Sequence, residues 1–363
     1  MFKFYDETVM GISSGKFQVA KIQILFLITK PANTFLRIIY DYDDIKGDAH
    51  EIKAKNINPY LVDAKDIFIE KKRQPISNVP KIIYGNMPND GGNFLFTDDE
   101  KNDFIKREPK AEKFIFPLIS AHEFLNGEKR WCLWLKNANP TEIKELKLVT
   151  ERIENVRKVR LASSREATRE LANFSTLFGF ISQPESDYIL IPRHSSENRK
   201  YIPMGFFDKN SIVADSCLAV PNATLYHFGV LHSFMHMAWV KTVCGRLESR
   251  FRYSNEIVYN NFPFPENSTE KQIQAVEKAA QKVLDVRANF QNSSLADLYH
   301  PLTMPPELVK AHKDLDKAVD ACYCPATRGL NPLFKTETER MEFLFEMYEA
   351  AVAGLFGEGK KGK

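Results

Sequence analysis

The chain has 363 residues, 44% of them hydrophobic and 12% aromatic, which is enough to fill one large core or two smaller ones. Its net charge of +3 is only mildly basic, which excludes a uniformly cationic surface and restricts any nucleic-acid contact to a local patch. The longest apolar run, Ile22 to Thr29, is too short to cross a membrane, and the first residues lack a secretory signal.

The cysteines indicate the compartment. They are scattered and form neither a Cys-x-x-Cys motif nor a zinc-site spacing, so we expect reduced thiols in a cytoplasmic protein. The five residues are Cys132, Cys217, Cys244, Cys322 and Cys324.

The first forty residues contain one clear element. Phe17 to Thr29 has the aliphatic density of a buried strand, and we expect it to pair within a sheet. The preceding segment, Gly11 to Phe17, superficially resembles a phosphate-binding loop. Its glycines are one residue too close and Phe17 replaces the magnesium-binding hydroxyl, so a turn is the better interpretation.

From Asp41 to Asn137, short β-rich runs alternate with turns. The pattern predicts strands at Ile67 to Ile69, Lys81 to Tyr84 and Trp131 to Leu135. It also predicts a tight glycine-containing loop at Asn86 to Asn93.

Two motifs in this part imitate catalytic sites. Asp66, Glu70 and Lys72 have the order of a two-metal nuclease, but they are crowded into one short element. Asn58-Pro59-Tyr60 approaches the Asn-Pro-Pro-Tyr loop with which DNA amino-methyltransferases hold a flipped base, but it lacks one proline. We therefore predict no catalytic residue, bound metal or cofactor-binding residue in this chain.

A long helix is predicted from Thr141 to Ala172. The basic residues from Arg157 to Arg169 could follow a phosphate backbone. Ion pairs between neighbouring turns of an exposed helix explain the pattern nearly as well, because glutamates offset much of this charge.

The next segment predicts a strand, a basic loop and two further strands. The loop runs from Pro192 to Lys200 and includes Arg193, Arg199 and Lys200, which are residue types that bind phosphates. A mobile hairpin loop is the alternative interpretation. The predicted strands are Tyr188 to Ile191, Tyr201 to Phe206 and Cys217 to Val220.

An apolar helix followed by a charged extended segment is the most informative pattern. The helix is predicted to end at Gly245. Because alternate residues of a strand point the same way, Glu248, Arg250 and Arg252 would share one face, and Arg246 would join them if the segment is extended that early. Arginine can recognise guanine and glutamate can recognise cytosine in the DNA major groove. A solvated strand edge or an ion-pair ladder is the alternative interpretation.

A helical module is predicted after residue 266. Two capping boxes and a Pro-Pro pair mark the starts of three amphipathic helices, whose apolar stripes most simply pack on each other or on the preceding domain. The polar tail from Gly357 to Lys363 is predicted to be disordered. The helix starts are Thr269 with Gln272, Pro305-Pro306, and Thr336 with Glu339.

Several longer motifs occur in one order between Asp41 and Tyr348. They are DYDDIKGDAHEIKAKNINPYLVDAKD, NVPKIIYGNMPNDGGN, KRWCLWL, KVRLASSREATRELA, SDYILIPRHSSENRKYIPMGFF, FGVLHSFMHMAWVKTVCGRLESRFRYS with VYNNFPFPE, and SLADLYHPLTMPPELVKAHKDLDKAVDACY. In this order they resemble the target recognition and C-terminal domains of MmeI-like restriction-modification DNA methyltransferases. The resemblance implies that Glu248, Arg250 and Arg252 recognise bases. We expect the DNA backbone contacts to be Arg193, Arg199, Lys200 and Arg246.

The resemblance also implies an α+β fold, in which a mixed β-sheet recognition domain with a long helix precedes a helical C-terminal domain. The expected divisions are residues 1–45 for the remnant end of a methyltransferase domain, 46–266 for the recognition domain, 267–356 for the helical domain and 357–363 for the tail. S-adenosylmethionine, and magnesium for any nuclease part, would belong to the missing catalytic part of the parent enzyme.

The implied function is sequence-specific recognition of double-stranded DNA, which directs adenine methylation by a catalytic domain in cis or on a separate chain. Two alternatives stay open. A protein-interaction subunit of a restriction-modification complex would associate stably with a partner without DNA affinity. A divergent DNA-modifying enzyme would bind S-adenosylmethionine or cleave DNA with magnesium.

Overall fold

The computed structural model describes residues 26–28, 36–41, 48, 50–323 and 334–357. Mixed sheets occupy the first part of the chain and helices the last, which confirms the predicted α+β fold. The strands in these ranges are β1 (Phe26–Ile28), β2 (Leu36–Asp41), β3 (His50–Ala54), β4 (Ile83–Tyr84), β5 (Leu95–Phe96), β6 (Ile115–Ile119), β7 (Trp131–Leu133), β8 (Tyr188–Pro192), β9 (His194–Ser195), β10 (Gly205–Phe207), β11 (Ile212–Val213), β12 (Cys217–Pro221), β13 (Gly245–Leu247) and β14 (Arg250–Arg252). The helices are α1 (Asp98–Arg107), α2 (Ala121–Asn126), α3 (Pro140–Glu145), α4 (Lys147–Leu161), α5 (Glu166–Glu170), α6 (Leu225–Leu231), α7 (Phe234–Val243), α8 (Glu270–Ala288), α9 (Leu295–Leu298), α10 (Pro306–Cys322) and α11 (Glu337–Gly357).

Four small sheets are formed by the described strands. Their strand orders are β1-β2-β3, β10-β8-β12-β4, β11-β6-β7-β5 and β13-β14-β9. The second sheet is central, and β8 is buried along its whole length. Its residues face two different cores in alternation: Ile189 and Ile191 face one, Tyr188 and Leu190 the other. A strand covered on both faces requires a continuous apolar run, which is the pattern of this segment.

The predicted N-terminal strand is described only in part. Phe26–Ile28 pairs antiparallel with β2. The remainder of Phe17 to Thr29, the loop-like segment Gly11 to Phe17, Cys324 and the tail beyond Gly357 lie outside the described residues.

Most of the other predicted strands are confirmed with shorter bounds. The strand predicted at Lys81 to Tyr84 is observed as the shorter β4, and the one predicted at Trp131 to Leu135 as the shorter β7. Tyr201 to Phe206 is mostly buried irregular chain, with strand β10 beginning only at Gly205. The strands at Tyr188 and Cys217 form as predicted.

The predicted strand at Ile67 to Ile69 is wrong. The segment has irregular backbone, and the backbone groups near its end bond to side chains rather than to a neighbouring strand. The amide of Ile69 donates to the hydroxyl of Tyr60 at 3.0 Å, and the side-chain amide of Asn261 donates to the carbonyl of Glu70 at 2.9 Å. Phe68, between the two isoleucines, is 70% exposed.

The predicted long helix from Thr141 to Ala172 is also wrong, because it is divided into α3, α4, α5 and a final 3-10 turn. The first helix starts one residue early, where the side chain of Asn139 accepts from the amide of Thr141. The main interruption follows Leu161, where the guanidinium of Arg169 folds back to the carbonyls of Ser163 and Ser164 at 3.0 Å. Serine competes with the helix by favouring such local turns.

The apolar helix before Gly245 is broken into α6 and α7. Helix α7 begins at Phe234, directly after the capping residue Ser233, and the backbone amide of Phe234 donates to the carboxylate of Asp316 at 2.7 Å. Both helices are buried around most of their circumference rather than along one stripe. They therefore lie inside the protein, with α8 and α10 packed against α6 and with α11 against α7.

The three predicted C-terminal helices are confirmed as α8, α10 and α11. Reciprocal capping hydrogen bonds join Thr269 to Gln272 and Thr336 to Glu339, and α10 begins at Pro306. One apolar core contains residues of α6 and α7 together with residues of these three helices. The helical module is therefore part of the same core as the segment that precedes it.

Gly229 on α6 packs tightly against helices α8 and α10. A β-carbon at this position would lie 2.6 Å from Cγ1 of Val276 on α8 and 3.2 Å from Cδ1 of Leu315 on α10. We expect Gly229→Ala to lower the free energy of unfolding in urea by about 1–3 kcal/mol, although alanine is the better helix former, because the core is overpacked. Adding Val276→Ala should recover part of that loss. Unchanged stability of Gly229→Ala would contradict this packing.

Candidate nucleic-acid interface

The charged segment after α7 is a hairpin rather than a single extended strand. β13 and β14 pair antiparallel with Gly245 opposite Arg252, Arg246 opposite Phe251 and Leu247 opposite Arg250. β14 also pairs with β9, with Arg252 opposite His194. We call this unit, formed by β13, β14 and β9, the basic sheet. It joins two segments that the sequence predicted separately, the row of charges and the basic loop.

Side chains that stand directly opposite each other, or two apart on one strand, share a face of a sheet. Arg250 and Arg252 are therefore on one face with Leu247 and His194, and we call this the outer face. Both arginines are exposed, whereas Phe251 between them is 1% exposed. The predicted alternation of Arg250 and Arg252 is confirmed.

Glu248 and Arg246 depart from the predicted row. Glu248 lies in the turn with a φ of 57°, where its carboxylate pairs with Arg250 at 2.7 Å. Arg246 is on the opposite face, its guanidinium 4.0 Å from the ring centre of Phe251, and it donates to the carbonyls of Lys241 and Ser249. A single extended strand through these residues is therefore wrong, since the chain reverses at Glu248.

Sequence reasoning missed the two other members of the outer face, Leu247 and His194. Leu247 is 45% exposed, and His194 is half-buried. Burial, with the positive charges of Arg193, Arg252 and Arg250, lowers the pKa of His194 from its ordinary value, which favours a neutral ring. The register of the β13–β14 hairpin would have identified Leu247, but the Glu-Ser turn does not have the glycine or asparagine that normally announces a hairpin. His194 joins the outer face through the pairing of β9 with β14, whose residues are more than fifty positions apart in sequence.

The three basic residues predicted in the loop have different surroundings. Arg193 is partly committed to the fold, because it donates to the carbonyl of Asp215 at 2.9 Å and lies over the ring of Tyr84. Arg199 is half-buried, and burial lowers its pKa. Lys200 is exposed. Partial desolvation still lowers its pKa, and the negative charge of Asp316 opposes this shift.

The basic sheet is anchored from beneath. Phe251 and Tyr253 are buried, and the amide of Tyr253 donates to the carbonyl of Arg193 at 2.7 Å. The hydroxyl of Tyr253 hydrogen-bonds to Nε2 of His236 on α7 at 2.9 Å. Complete burial lowers the pKa of His236 to about 3, so this histidine is neutral in the folded protein. The sheet is therefore supported by residues of the buried core rather than by a loop.

The buried neutral histidines make the stability of the fold sensitive to acid. His312 likewise has a pKa lowered to about 3 by burial, whereas the pKa of a histidine in the unfolded chain is about 6.5. The unfolded chain then binds the extra protons, so stability is complete above about pH 6.5 and is lost as the pH falls towards 3. Asp316, whose pKa is raised to about 6, acts in the opposite direction and offsets one histidine.

We expect the free energy of urea unfolding to fall between about pH 6.5 and about pH 5, by about 1.4 kcal/mol per pH unit for each uncompensated histidine. His236→Gln should remove about one histidine's share of that slope. A variant whose slope equals that of the parent would show that His236 is not the buried neutral group.

In the region predicted as a phosphate-tracking helix, the buried and half-buried arginines bond to the protein's own backbone. Arg160 is 0% exposed and bonds to backbone carbonyls, so it cannot contact a ligand. Arg152 lies 4.0 Å from the ring centre of Phe96 and donates to the carbonyl of Asn93. Arg157 is exposed beside Glu154 at 3.7 Å and remains available.

The motif Asn58-Pro59-Tyr60 also has a structural role. The side-chain oxygen of Asn58 accepts from the amides of Tyr60 and Val62, which closes a turn. The ring of Tyr60 packs on Phe345 with ring centres 5.4 Å apart. Within the described ranges, no group of three or more His, Cys, Asp or Glu residues has the arrangement of a metal site.

A cavity of about 460 Å³ lies beside β6 and β11, lined by Lys113, Phe116, Trp134, Lys136 and Lys209 among others, and includes no residue of the basic sheet. Among the described helices, none has the length and apolar character needed to span a bilayer. Cys132, Cys217, Cys244 and Cys322 are buried free thiols.

Comparisons with known proteins cover nearly the whole chain. The family described as "MmeI, target recognition domain" matches residues 63–266, and "MmeI, C-terminal domain" matches residues 268–356. DNA methyltransferase A of Bacillus subtilis (strain 168) is 40% identical over 296 residues, which are 82% of this chain and 33% of that protein.

A solved structure, described as the type IIL restriction-modification enzyme MmeI in complex with DNA, is 46% identical with a TM-score of 0.78. The match covers 91% of this chain and 45% of that chain. The present chain thus spans less than half the length of the relatives it matches. It belongs to the MmeI family, with the target recognition domain in residues 63–266 and the C-terminal domain in residues 268–356.

Proposed function

We propose that this chain is the DNA-reading part of a restriction-modification DNA methyltransferase and selects the sequence at which the enzyme acts. The observation that carries the proposal is the basic sheet, which presents Arg250 and Arg252 side by side on an exposed face above a buried support. Its β13–β14 hairpin is a two-stranded ribbon, an element that the major groove admits, and there arginine can bond to both O6 and N7 of guanine. The solved DNA complex of a relative at 46% identity supports double-stranded DNA as the ligand.

Two sets of residues have different tasks in this proposal. Arg250, Arg252 and Glu248 contact base edges, with the carboxylate of Glu248 accepting from cytosine. Arg193, Arg199, Lys200 and Arg246 contact phosphates, which fixes the position of the sheet without reading sequence. The pairing of β9 with β14 supports this division, because it places the basic loop beside the arginine row.

The remaining steps belong to a methyltransferase catalytic domain, either in cis or on a separate chain. That domain binds S-adenosylmethionine and transfers the methyl group to adenine in the bacterial cytoplasm. Residues 46–266 form the recognition domain and residues 267–356 the helical domain that supports it. The shared core of α6 and α7 with α8, α10 and α11 supports a fixed arrangement of the two.

The test is binding of the purified chain to random duplex DNA and to pools enriched by repeated selection. Affinity should fall steeply between about 50 and about 200 mM salt, since phosphate contacts release counterions. Selection should enrich one short motif. Binding without any enriched motif, or no binding at low salt, would contradict the proposal, and stable association with a partner protein alone would favour an interaction subunit.

A further inference from the structure

Leu247 is the apolar member of the outer face. It is 45% exposed at the end of β13, directly before the turn residue Glu248. Its neighbours on the hairpin are charged, whereas Phe251 on the opposite face is buried. Because single exposed leucines are common on protein surfaces, exposure alone has no functional meaning here.

The register of the hairpin gives Leu247 its significance. It stands directly opposite Arg250, and such pairs of side chains are about 4.5–5.5 Å apart. Successive bases on a DNA strand are separated by about 3.4 Å along the helix axis. A ribbon that places Arg250 on one base pair therefore brings Leu247 within reach of the next.

The major groove offers one apolar group to such a side chain, the C5 methyl of thymine. We propose that Leu247 is a specificity-determining residue that contacts the C5 methyl of a pyrimidine in the base pair next to the one read by Arg250. The inference rests on the proposed function, and it adds an apolar contact to a face otherwise described only by its charges.

The position of Leu247 in the fold agrees with this role. Arg246 is held on the other face by Phe251 and by the carbonyls of Lys241 and Ser249, which fixes the direction of the strand. Leu247 follows it and must point to the outer face. Replacing it by alanine removes the apolar contact without removing a buried residue, so we expect the fold to be kept.

The experiment uses the complete chain and a duplex obtained by selection. Each thymine in the site is replaced in turn by uracil, and each cytosine by 5-methylcytosine, so that only the C5 methyl changes. Affinities are measured for the parent, Leu247→Ala and the control Leu302→Ala, which removes a leucine that is 89% exposed outside the basic sheet. Arg250→Ala identifies the guanine next to which the effect should occur.

We expect one pyrimidine position at which the methyl tightens binding of the parent and of Leu302→Ala by about 3- to 10-fold. For Leu247→Ala the same change should fall below about twofold while the guanine preference of Arg250 is kept. A parent that responds to no C5 methyl, or a Leu247→Ala variant that keeps the full response, would overturn the inference. Failure of the parent to select any DNA would overturn the proposed function itself, and this inference with it.

Discussion

Arg160→Met is expected to be the most destabilising single change in the recognition domain. Arg160 is 0% exposed, and its guanidinium donates five hydrogen bonds to backbone carbonyls at 2.7–3.0 Å. The acceptors belong to two segments that are distant in sequence. They are Pro88, Asn89, Leu171, Phe174 and Leu177.

Methionine fills similar space but leaves those carbonyls without a donor. Each buried unpaired group costs about 1–3 kcal/mol, and the loss is partly offset because a charge no longer has to be buried. We expect the free energy of unfolding in urea to fall by about 3–5 kcal/mol. Arg160→Lys should recover little of it, since a compact ammonium with three donors cannot reproduce the planar fork.

Arg157→Met is the matched control on the same helix. Arg157 is exposed and pairs at the surface with Glu154, so its replacement should change stability by less than about 0.5 kcal/mol. Equal effects of the two substitutions would show that the five hydrogen bonds do not hold the recognition domain together.

Arg250→Ala is expected to have the largest effect on DNA selection. If Arg250 bonds to a guanine, its loss should remove about 1–3 kcal/mol of discrimination at one base pair, which is about 5- to 150-fold in relative affinity. The other positions of the selected motif should keep their preferences. Sequencing of pools selected by the parent and by the variant measures this directly. Arg252→Ala should relax a different position.

Two controls separate base reading from loss of charge. Arg107→Ala removes an equal charge from an exposed site on α1, where Arg107 pairs with Asp103, and should leave the motif unchanged. Lys200→Ala should weaken binding to all sequences alike and reduce the salt dependence. If Arg250→Ala behaves like Lys200→Ala, the arginine contacts phosphate and does not read a base.

The parts of the fold that depend on local signals could be predicted from the sequence. The capping boxes at Thr269 and Thr336 formed because the interacting residues are only three apart. Likewise, the alternation of Arg250, Phe251 and Arg252 followed from the strand period of two.

The errors have long-range causes. The break before Phe234 depends on a hydrogen bond to Asp316, which is 82 residues away in sequence. The segment after α4 folds back because Arg160 donates hydrogen bonds to the carbonyls of Leu171 and Phe174. No local pattern contains such partners. The hairpin was hidden because Glu248 adopts a φ of 57°, a conformation that turns normally assign to glycine, asparagine or aspartate. The sequence therefore predicted the charged residues of the candidate site but not the hairpin that arranges them.

The central claim is that the basic sheet reads base pairs in the major groove. The most direct measurement replaces each guanine of the selected site in turn by 7-deazaguanine, which lacks the N7 acceptor of the major groove, or by inosine, which lacks the amine of the minor groove. The account predicts that 7-deazaguanine weakens binding of the parent chain at the guanines read by Arg250 and Arg252, and that Arg250→Ala becomes insensitive at one of them. Sensitivity to inosine alone, with no effect of 7-deazaguanine at any position, would contradict it.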